Sequence, residues 1–325
     1  MIITRTPFRV SFLGGGTDLP AVYREIGGAV LSTTIDKYMY VAVNKRFEET
    51  IRVAYTKTEI VKHPQELDHD IVREALGMVG IEKQIEIVTI ADVPAGTGLG
   101  SSSSLAVGLL NALHNYLGEE VLPERLAREA CELEIGKLGH HIGKQDQYAA
   151  AYGGLNFIRF LPDEEVEVEP LGLSRDLLEE FFARIRLFYT GLRRRSDEVL
   201  QEQSKTAALS MDQYRKLKDL AHAGKDALLR GDLALFGELL HEGWLIKRSL
   251  SRKISNRTIN ELYELGRKEG ALGGKVLGAG GGGFILFFCA SQEHATALSR
   301  RFRARRIREL EIAYEPWGST VIYRS

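Results

Sequence analysis

Pro94-Ala95-Gly96-Thr97-Gly98-Leu99-Gly100-Ser101-Ser102-Ser103-Ser104 is the stretch on which the fold of this chain turns. Three glycines at alternate positions run into four serines, and a leucine-rich segment begins at once. Leu105, Leu109, Leu113 and Leu117 recur every four residues, with Ala106 and Leu110 beside them, which predicts a helix over 105–117. A loop that feeds a helix N-terminus presents unpaired backbone N–H groups and a partial positive charge. Glycines let it wrap an anion, and serine hydroxyls add donors or a metal ligand. This is phosphate-binding chemistry. It is not a P-loop, because no G-x-x-x-x-G-K-[ST] occurs and no lysine follows Gly100. It is not a nucleophile elbow either, because no serine here has glycine two residues away on both sides.

Glycine is the unusual count, 33 of 325 residues against 8 prolines, and it is concentrated in two further places. A strand over 5–13 ends in Gly14-Gly15-Gly16, with Thr17-Asp18 directly after. Such a turn lets backbone approach a ligand closely, with Asp18 placed to hold hydroxyls; a plain hairpin turn is the alternative. Residues 273–283 contain a formal G-x-G-x-x-G at Gly278, Gly280 and Gly283. A dinucleotide site needs a helix after it and an acid about 20 residues on. The next residues, Phe284-Ile285-Leu286-Phe287-Phe288, have the character of a strand, and Arg303 stands where the acid would, so that reading is rejected.

Two carboxylates stand out. In a helix predicted over 123–138, Ala127, Ala130, Cys131, Glu134 and Leu138 share one stripe, so Glu134 faces inward. A carboxylate there costs several kcal/mol unless it is paired or metal-bound, and Mg²⁺ or a buried cation would satisfy it. Asp146 lies twelve residues later, ahead of the small run Ala149-Ala150-Ala151; it is a candidate base or a helix cap.

The remaining pattern is mixed. Strands are expected over 29–34, 39–45, 51–55, 84–90 and 155–160, with a helix over 69–79. A helix over 177–182 and a strand over 185–189 come next. Residues 196–268 read as helices broken near 210, 231 and 255, then a glycine-rich loop runs into a strand over 273–288, and short strands are expected at 311–314 and 320–323. This is an α+β arrangement, with domains expected over 1–175 and 176–325. Lys and Arg number 43 against 44 Asp and Glu, which gives no reason to expect nucleic acid or an anionic membrane as partner. Two cysteines in apolar surroundings suit a reducing cytoplasm, and no apolar run reaches the length of a membrane span.

The three glycine motifs in this order, with Pro94-x-x-x-Gly98-Leu99-Gly100-Ser101-Ser102 in the middle, resemble the GHMP small-molecule kinases over nearly the whole chain. The resemblance implies a two-domain GHMP kinase fold: a ribosomal protein S5-like N-terminal domain and a ferredoxin-like C-terminal domain, with ATP and substrate meeting between them. Pro94, Gly96, Gly98, Leu99, Gly100, Ser101, Ser102, Ser103 and Ser104 would cradle the ATP phosphates, and Ser101 or Ser102 with Glu134 would hold Mg²⁺. Asp146 would accept or orient the hydroxyl proton, with Arg9 stabilising charge near the transferring group. Gly15, Gly16, Thr17, Asp18, Lys247, Gly280, Gly281 and Gly282 would meet the substrate.

Within the family, Arg9–Asp18 (9–18), 143–148, Trp244, Lys247, Ser251 and 254–256 are most similar to the branch acting on a heptose 7-phosphate, at its anomeric C1 hydroxyl. Kinases of free sugars such as L-fucose or galactose are the alternative, and a homodimer is compatible with either. Galactokinases carry a Glu-His pair where this chain has Gly15-Gly16. The two glycines enlarge the sugar site and remove an acid that would repel a phosphate. Arg193, Arg194, Arg195 and Lys247 are the cations expected to meet such a phosphate.

Overall fold

The computed structural model describes residues 1–192 and 196–325. Its first half contains β1 (Ile2–Leu13), α1 (Pro20–Ile26), β2 (Gly28–Lys45), β3 (Ile51–Ala54), β4 (Thr58–Val61), α2 (Asp70–Val79) and β5 (Ile85–Ala91). Next come α3 (Ser101–Tyr116), α4 (Pro123–Cys131), α5 (Gln145–Tyr152), β6 (Leu155–Phe160) and β7 (Val166–Pro170). The second half contains α6 (Arg175–Ala183), β8 (Ile185–Tyr189), α7 (Ser196–Thr206), α8 (Met211–Leu229), α9 (Leu233–Ser249) and α10 (Arg257–Lys268). It closes with β9 (Ala271–Val276), β10 (Phe284–Cys289), α11 (Gln292–Ala304), β11 (Glu309–Leu310) and β12 (Thr320–Arg324).

The first sheet runs β12-β1-β2-β5-β3-β4, with β6 and β7 branching from β2. The two strands expected at 29–34 and 39–45 are one 18-residue strand. β1 pairs along its length, and the only break near the middle falls at Pro7, which has no N–H to donate. One end of β2 then pairs with β6 and the other with β5. The second sheet is antiparallel in the order β11-β8-β10-β9. Counted from β8, its strands lie in the order 4-1-3-2 of a β-α-β-β-α-β unit, which is the expected ferredoxin-like arrangement.

The expected breaks at 210, 231 and 255 fall between consecutive helices. Three expectations are corrected. Gly273 and Gly274 lie within β9 rather than in a loop. The expected strand at 311–314 is reduced to a single bridge between Tyr314 and Ile35, with β11 placed earlier. The division at 175/176 falls at the first residue of α6, yet β12, from beyond it, pairs antiparallel with β1 and belongs to the first sheet. Cys131 and Cys289 are buried and unpaired. Among the described residues no helix is long and apolar enough to cross a membrane.

The two halves share one continuous apolar core. At its centre Phe12 of β1 meets Phe181 of α6 and Phe236 of α9 edge-on, with ring centroids 5.4 and 5.6 Å apart, and Phe288 of β10 packs against both of the latter. All four rings are buried. Replacing Phe181 by Ala is expected to cost about 3–5 kcal/mol, read from the urea midpoint at constant m-value; a loss below about 1 kcal/mol would mean that this cluster does not join the halves.

Candidate active site

β1 carries Arg9 inward, where it is 4% exposed. A buried guanidinium must find acceptors, and Arg9 finds three. Its Nε and Nη2 donate to the two carboxylate oxygens of Asp146, each at 2.6 Å, and its Nη1 donates to the Gly98 carbonyl at 2.6 Å. The backbone adds a bond from Arg9 N to the Leu99 carbonyl. Thus β1, the first turn of α5 and the glycine loop meet at one side chain. Gly100 lies against this pair: a Cβ there would stand 3.3 Å from Asp146 Oδ2, and its φ of +76° already suits glycine.

α3 begins at Ser101, four residues before the expected start, so the serines form its first turn. No side chain caps that turn, which leaves its leading N–H groups for a ligand. Its hydroxyls are partly committed. Ser102 and Ser103 donate to Glu134 at 2.7 and 2.6 Å, and Ser104 donates to the Pro7 carbonyl at 2.9 Å. Ser103 and Ser104 are buried, and Ser104 N already donates to the Gly100 carbonyl at 2.9 Å, which leaves Ser101 and Ser102 as the accessible serines of that turn.

Glu134 is fully buried, as its stripe predicts, but the helix expected over 123–138 is not uniform. It widens into a π-helical turn over Glu132–Lys137, a distortion frequent at functional sites. Gln147 completes the set with a 2.6 Å bond to Glu134 Oε2. Three neutral donors satisfy the carboxylate in place of a buried cation, while burial raises its pKa. Among the described residues no three His, Cys, Asp or Glu side chains converge as a metal site. What suits a hard cation is Ser102: it is exposed, and with its proton given to Glu134 its lone pairs stay free to accept.

The glycine clusters serve backbone packing first. A Cβ on Gly98 would stand 2.6 Å from the Leu277 carbonyl oxygen, and one on Gly283 would stand 2.3 Å from that of Thr97. The 94–100 and 278–283 loops therefore lie backbone to backbone, joined by a 3.1 Å bond from Phe284 N to Thr97 O. Gly280 and Gly282 press on the carbonyls of Ile254 and Leu192, and Gly281 N donates to Ile254 O.

Thr17 and Asp18 are also turned inward. The Thr17 hydroxyl is clasped by Ala29 N and O, both at 3.0 Å. The Asp18 carboxylate accepts from Gly16 N, Gln145 N and Gln145 Nε2. It ties the first glycine turn to the start of α5, and burial raises its pKa. Gly15 and Gly16 are buried rather than open: a Cβ on Gly15 would meet Ser11, Lys247 and Gln145, and one on Gly16 would meet Tyr214. Lys247 donates to the Gly278 carbonyl at 2.8 Å. Sequence reasoning missed Lys275, which lies within the third glycine cluster; it is buried, and its ammonium donates to the Phe12 carbonyl at 3.0 Å. Gln145 and Gln147 were missed as well, although both flank Asp146. Arg193, Arg194 and Arg195 lie outside the described residues.

Phosphoryl transfer asks little covalent chemistry of a protein; it needs phosphates held, an acceptor hydroxyl aligned and charge stabilised. The uncapped first turn of α3 has the N–H groups to hold phosphates, and Asp146, gripped by Arg9, has the lone pairs to accept from a hydroxyl. The class this defines is a phosphotransferase with a small-molecule hydroxyl as acceptor.

Comparison with known proteins gives the family. The models for the GHMP kinases N terminal domain and GHMP kinases C terminal match residues 67–154 and 225–307. The chain is 32% identical over 310 residues to D-glycero-alpha-D-manno-heptose 7-phosphate kinase of Campylobacter jejuni, covering 88% of this chain and 89% of that protein. It is 29% identical to the bifunctional fucokinase/GDP-fucose pyrophosphorylase of Arabidopsis thaliana, over 91% of this chain but 30% of that longer protein. The crystal structure of a D-glycero-D-manno-heptose 1-phosphate kinase from Bacteroides thetaiotaomicron superposes with a TM-score of 0.83 at 27% identity, covering the whole of both chains. This chain belongs to the GHMP kinase family. Replacing Arg9 by Lys keeps the charge but loses the two-point grip on Asp146; kcat is expected to fall about 10- to 100-fold, and the thermal midpoint to fall with it. An unaltered kcat would remove Arg9 from the machinery.

Proposed function

We propose that this protein is a sugar kinase that transfers the γ-phosphate of ATP to the anomeric C1 hydroxyl of D-glycero-D-manno-heptose 7-phosphate. The product, the 1,7-bisphosphate, would feed the making of nucleotide-activated heptose for surface glycans. The observation that carries the choice of a phosphorylated sugar is the side-chain-free turn at Gly15-Gly16 with the Lys247 ammonium beside it. The full-length similarity to a relative named for that substrate supports it.

In this reading the N–H groups of α3's first turn and the 94–100 loop hold the ATP phosphates. Mg²⁺ would be held by Ser102, with Glu134 fixing its hydroxyl, and would neutralise phosphate charge. Asp146 accepts the hydrogen bond of the C1 hydroxyl and orients its oxygen for in-line attack. The two-point tie to Arg9 fixes how the carboxylate faces that hydroxyl. Arg9 keeps Asp146 in place and adds positive charge beside the transferring group. Gly280, Gly281 and Gly282 close the site over the substrate.

The test is ADP release over heptose 7-phosphate, heptose 1-phosphate, L-fucose, galactose, mannose and mevalonate. Turnover is expected with heptose 7-phosphate, and Asp146→Ala should lower kcat by about 10²–10⁴. Turnover with a free hexose but not with the 7-phosphate would overturn the substrate, and an unaffected Asp146→Ala would overturn the role of Asp146.

A further inference from the structure

The first sheet leaves part of one face bare. Residues paired across neighbouring strands stand on the same face, so register alone gives what lies there. One row crosses six strands: Tyr323 of β12, Ile3 of β1, Ala42 of β2, Val88 of β5, Ala54 of β3 and Thr58 of β4. On one side of it lies the row Arg5, Tyr40 and Ile90, and on the other the row Asn44, Glu86, Arg52 and Ile60. None of these residues is buried, and Ile90, Ile60 and Tyr323 are 64%, 59% and 46% exposed. Their neighbours along the strands, among them Thr4, Val41, Ile87 and Val53, are buried on the other face. α3 packs there: a Cβ on its Gly108 would meet the Thr4 and Thr6 hydroxyls. α8 meets this sheet at Leu13 and Leu31, beyond the three rows.

Relief and charge on this face select the occupant. Ala42, Val88 and Ala54 are small and make a trough, and Tyr40 and Ile90 beside them make a ridge. A ridge next to a trough of the same length fits a copy of itself. A two-fold axis midway between two such faces, parallel to the rows, sets Tyr40 over the partner's Ala42 and Ile90 over the partner's Val88. The same operation brings the Glu86 row opposite the row of Tyr38, which Asp92 continues through its backbone bond to the Tyr38 carbonyl. Glu86 is paired with both Arg46 and Arg52, so that set carries one net positive charge and meets the Asp92 carboxylate. We infer that two copies of the chain associate through this face, ridge in trough.

The area agrees with that use. By strand spacing and rise per residue the apolar rows cover about 500 Å², in the range where an exposed apolar patch marks an interaction site. The polar row and Tyr38 extend it toward the roughly 800 Å² that each partner buries in a standard interface. Tyrosine anchors such surfaces well, and here Tyr38 and Tyr40 stand together with ring centroids 5.9 Å apart. Tyr38 is already held in place, since its hydroxyl donates to Glu315 and Arg5 lies over its ring at 4.5 Å. A side chain fixed before association loses little freedom on binding.

The experiment is sedimentation equilibrium of the full chain at micromolar concentration, for the wild type and for Val88→Arg. The wild type should have twice the mass of one chain. Val88→Arg puts a charge in the middle of the trough, and the dissociation constant of the dimer should rise at least about 100-fold, with the far-UV spectrum unchanged because Val88 faces solvent in the single chain. A wild type with the mass of one chain would overturn the inference, and so would a dimer as tight in Val88→Arg as in the wild type. If Val88→Arg does not fold, Ala42→Cys decides. Cys131 and Cys289 are buried, so a bis-maleimide reads the new thiol. Crosslinked dimer is expected from Ala42→Cys and not from Asp163→Cys, which stands on an exposed turn elsewhere. No more dimer from Ala42→Cys than from Asp163→Cys would overturn the inference.

Discussion

The salt bridge between Arg9 and Asp146 is the contact on which the site depends. Arg9 sits in the middle of a central strand and is buried, so its guanidinium must be satisfied by protein groups. It reaches the one carboxylate at the start of α5 and the one carbonyl in the glycine loop that lie within range. Those three attachments set where α5 begins and how far the loop ahead of α3 stands from β1. Gly100 then has to be glycine, because its neighbours are the two members of the pair. Asp18 ties the first glycine turn to the same end of α5. The glycine loop ahead of α3 and the first turn of α5 are therefore held by the same few bonds.

Much of this was legible in the residues, and the reason differs from place to place. The leucine repeat made α3 visible because burial imposes its period on local sequence. Glu134 was visible because a charge on an apolar stripe is a local contradiction. The order of the ferredoxin-like sheet came through resemblance, not periodicity. What stayed hidden depends on partners far along the chain. Nothing near Thr17 says that Ala29 takes its hydroxyl, and nothing near Ser103 or Ser104 says that Glu134 and Pro7 take theirs. The glycines were read as backbone cleared for ligands. Much of that clearance is used by one loop against another, at Gly98 with Leu277 and at Gly283 with Thr97.

Electrostatics sharpen the same point. A chain with formal charge −1 gives no hint of an anion site. Yet Arg9, Lys247 and Lys275 gather with Asp18 and Asp146 where the two halves meet, and burial pulls both lysines and Asp18 toward their neutral forms. Both lysines bond to backbone carbonyls, of Gly278 and Phe12, so each also fastens a glycine segment in place. These side chains are gathered by the fold from distant parts of the chain, which is why net composition could not reveal them.

The return of β12 to the edge of β1 has a consequence for how the protein is made. Thr320 bonds to Arg5 across 315 positions of sequence. A ribosome adding about 5–20 residues per second leaves the outer edge of β1 unpaired for about 15 to 60 seconds after that strand is made. Throughout that interval the strand that carries Arg9 offers open N–H and C=O groups to any neighbouring chain. Contacts of such long sequence separation are also the slowest to form. β12 is thus a latch on β1, and until it is made the strand on which Arg9 stands keeps an open edge.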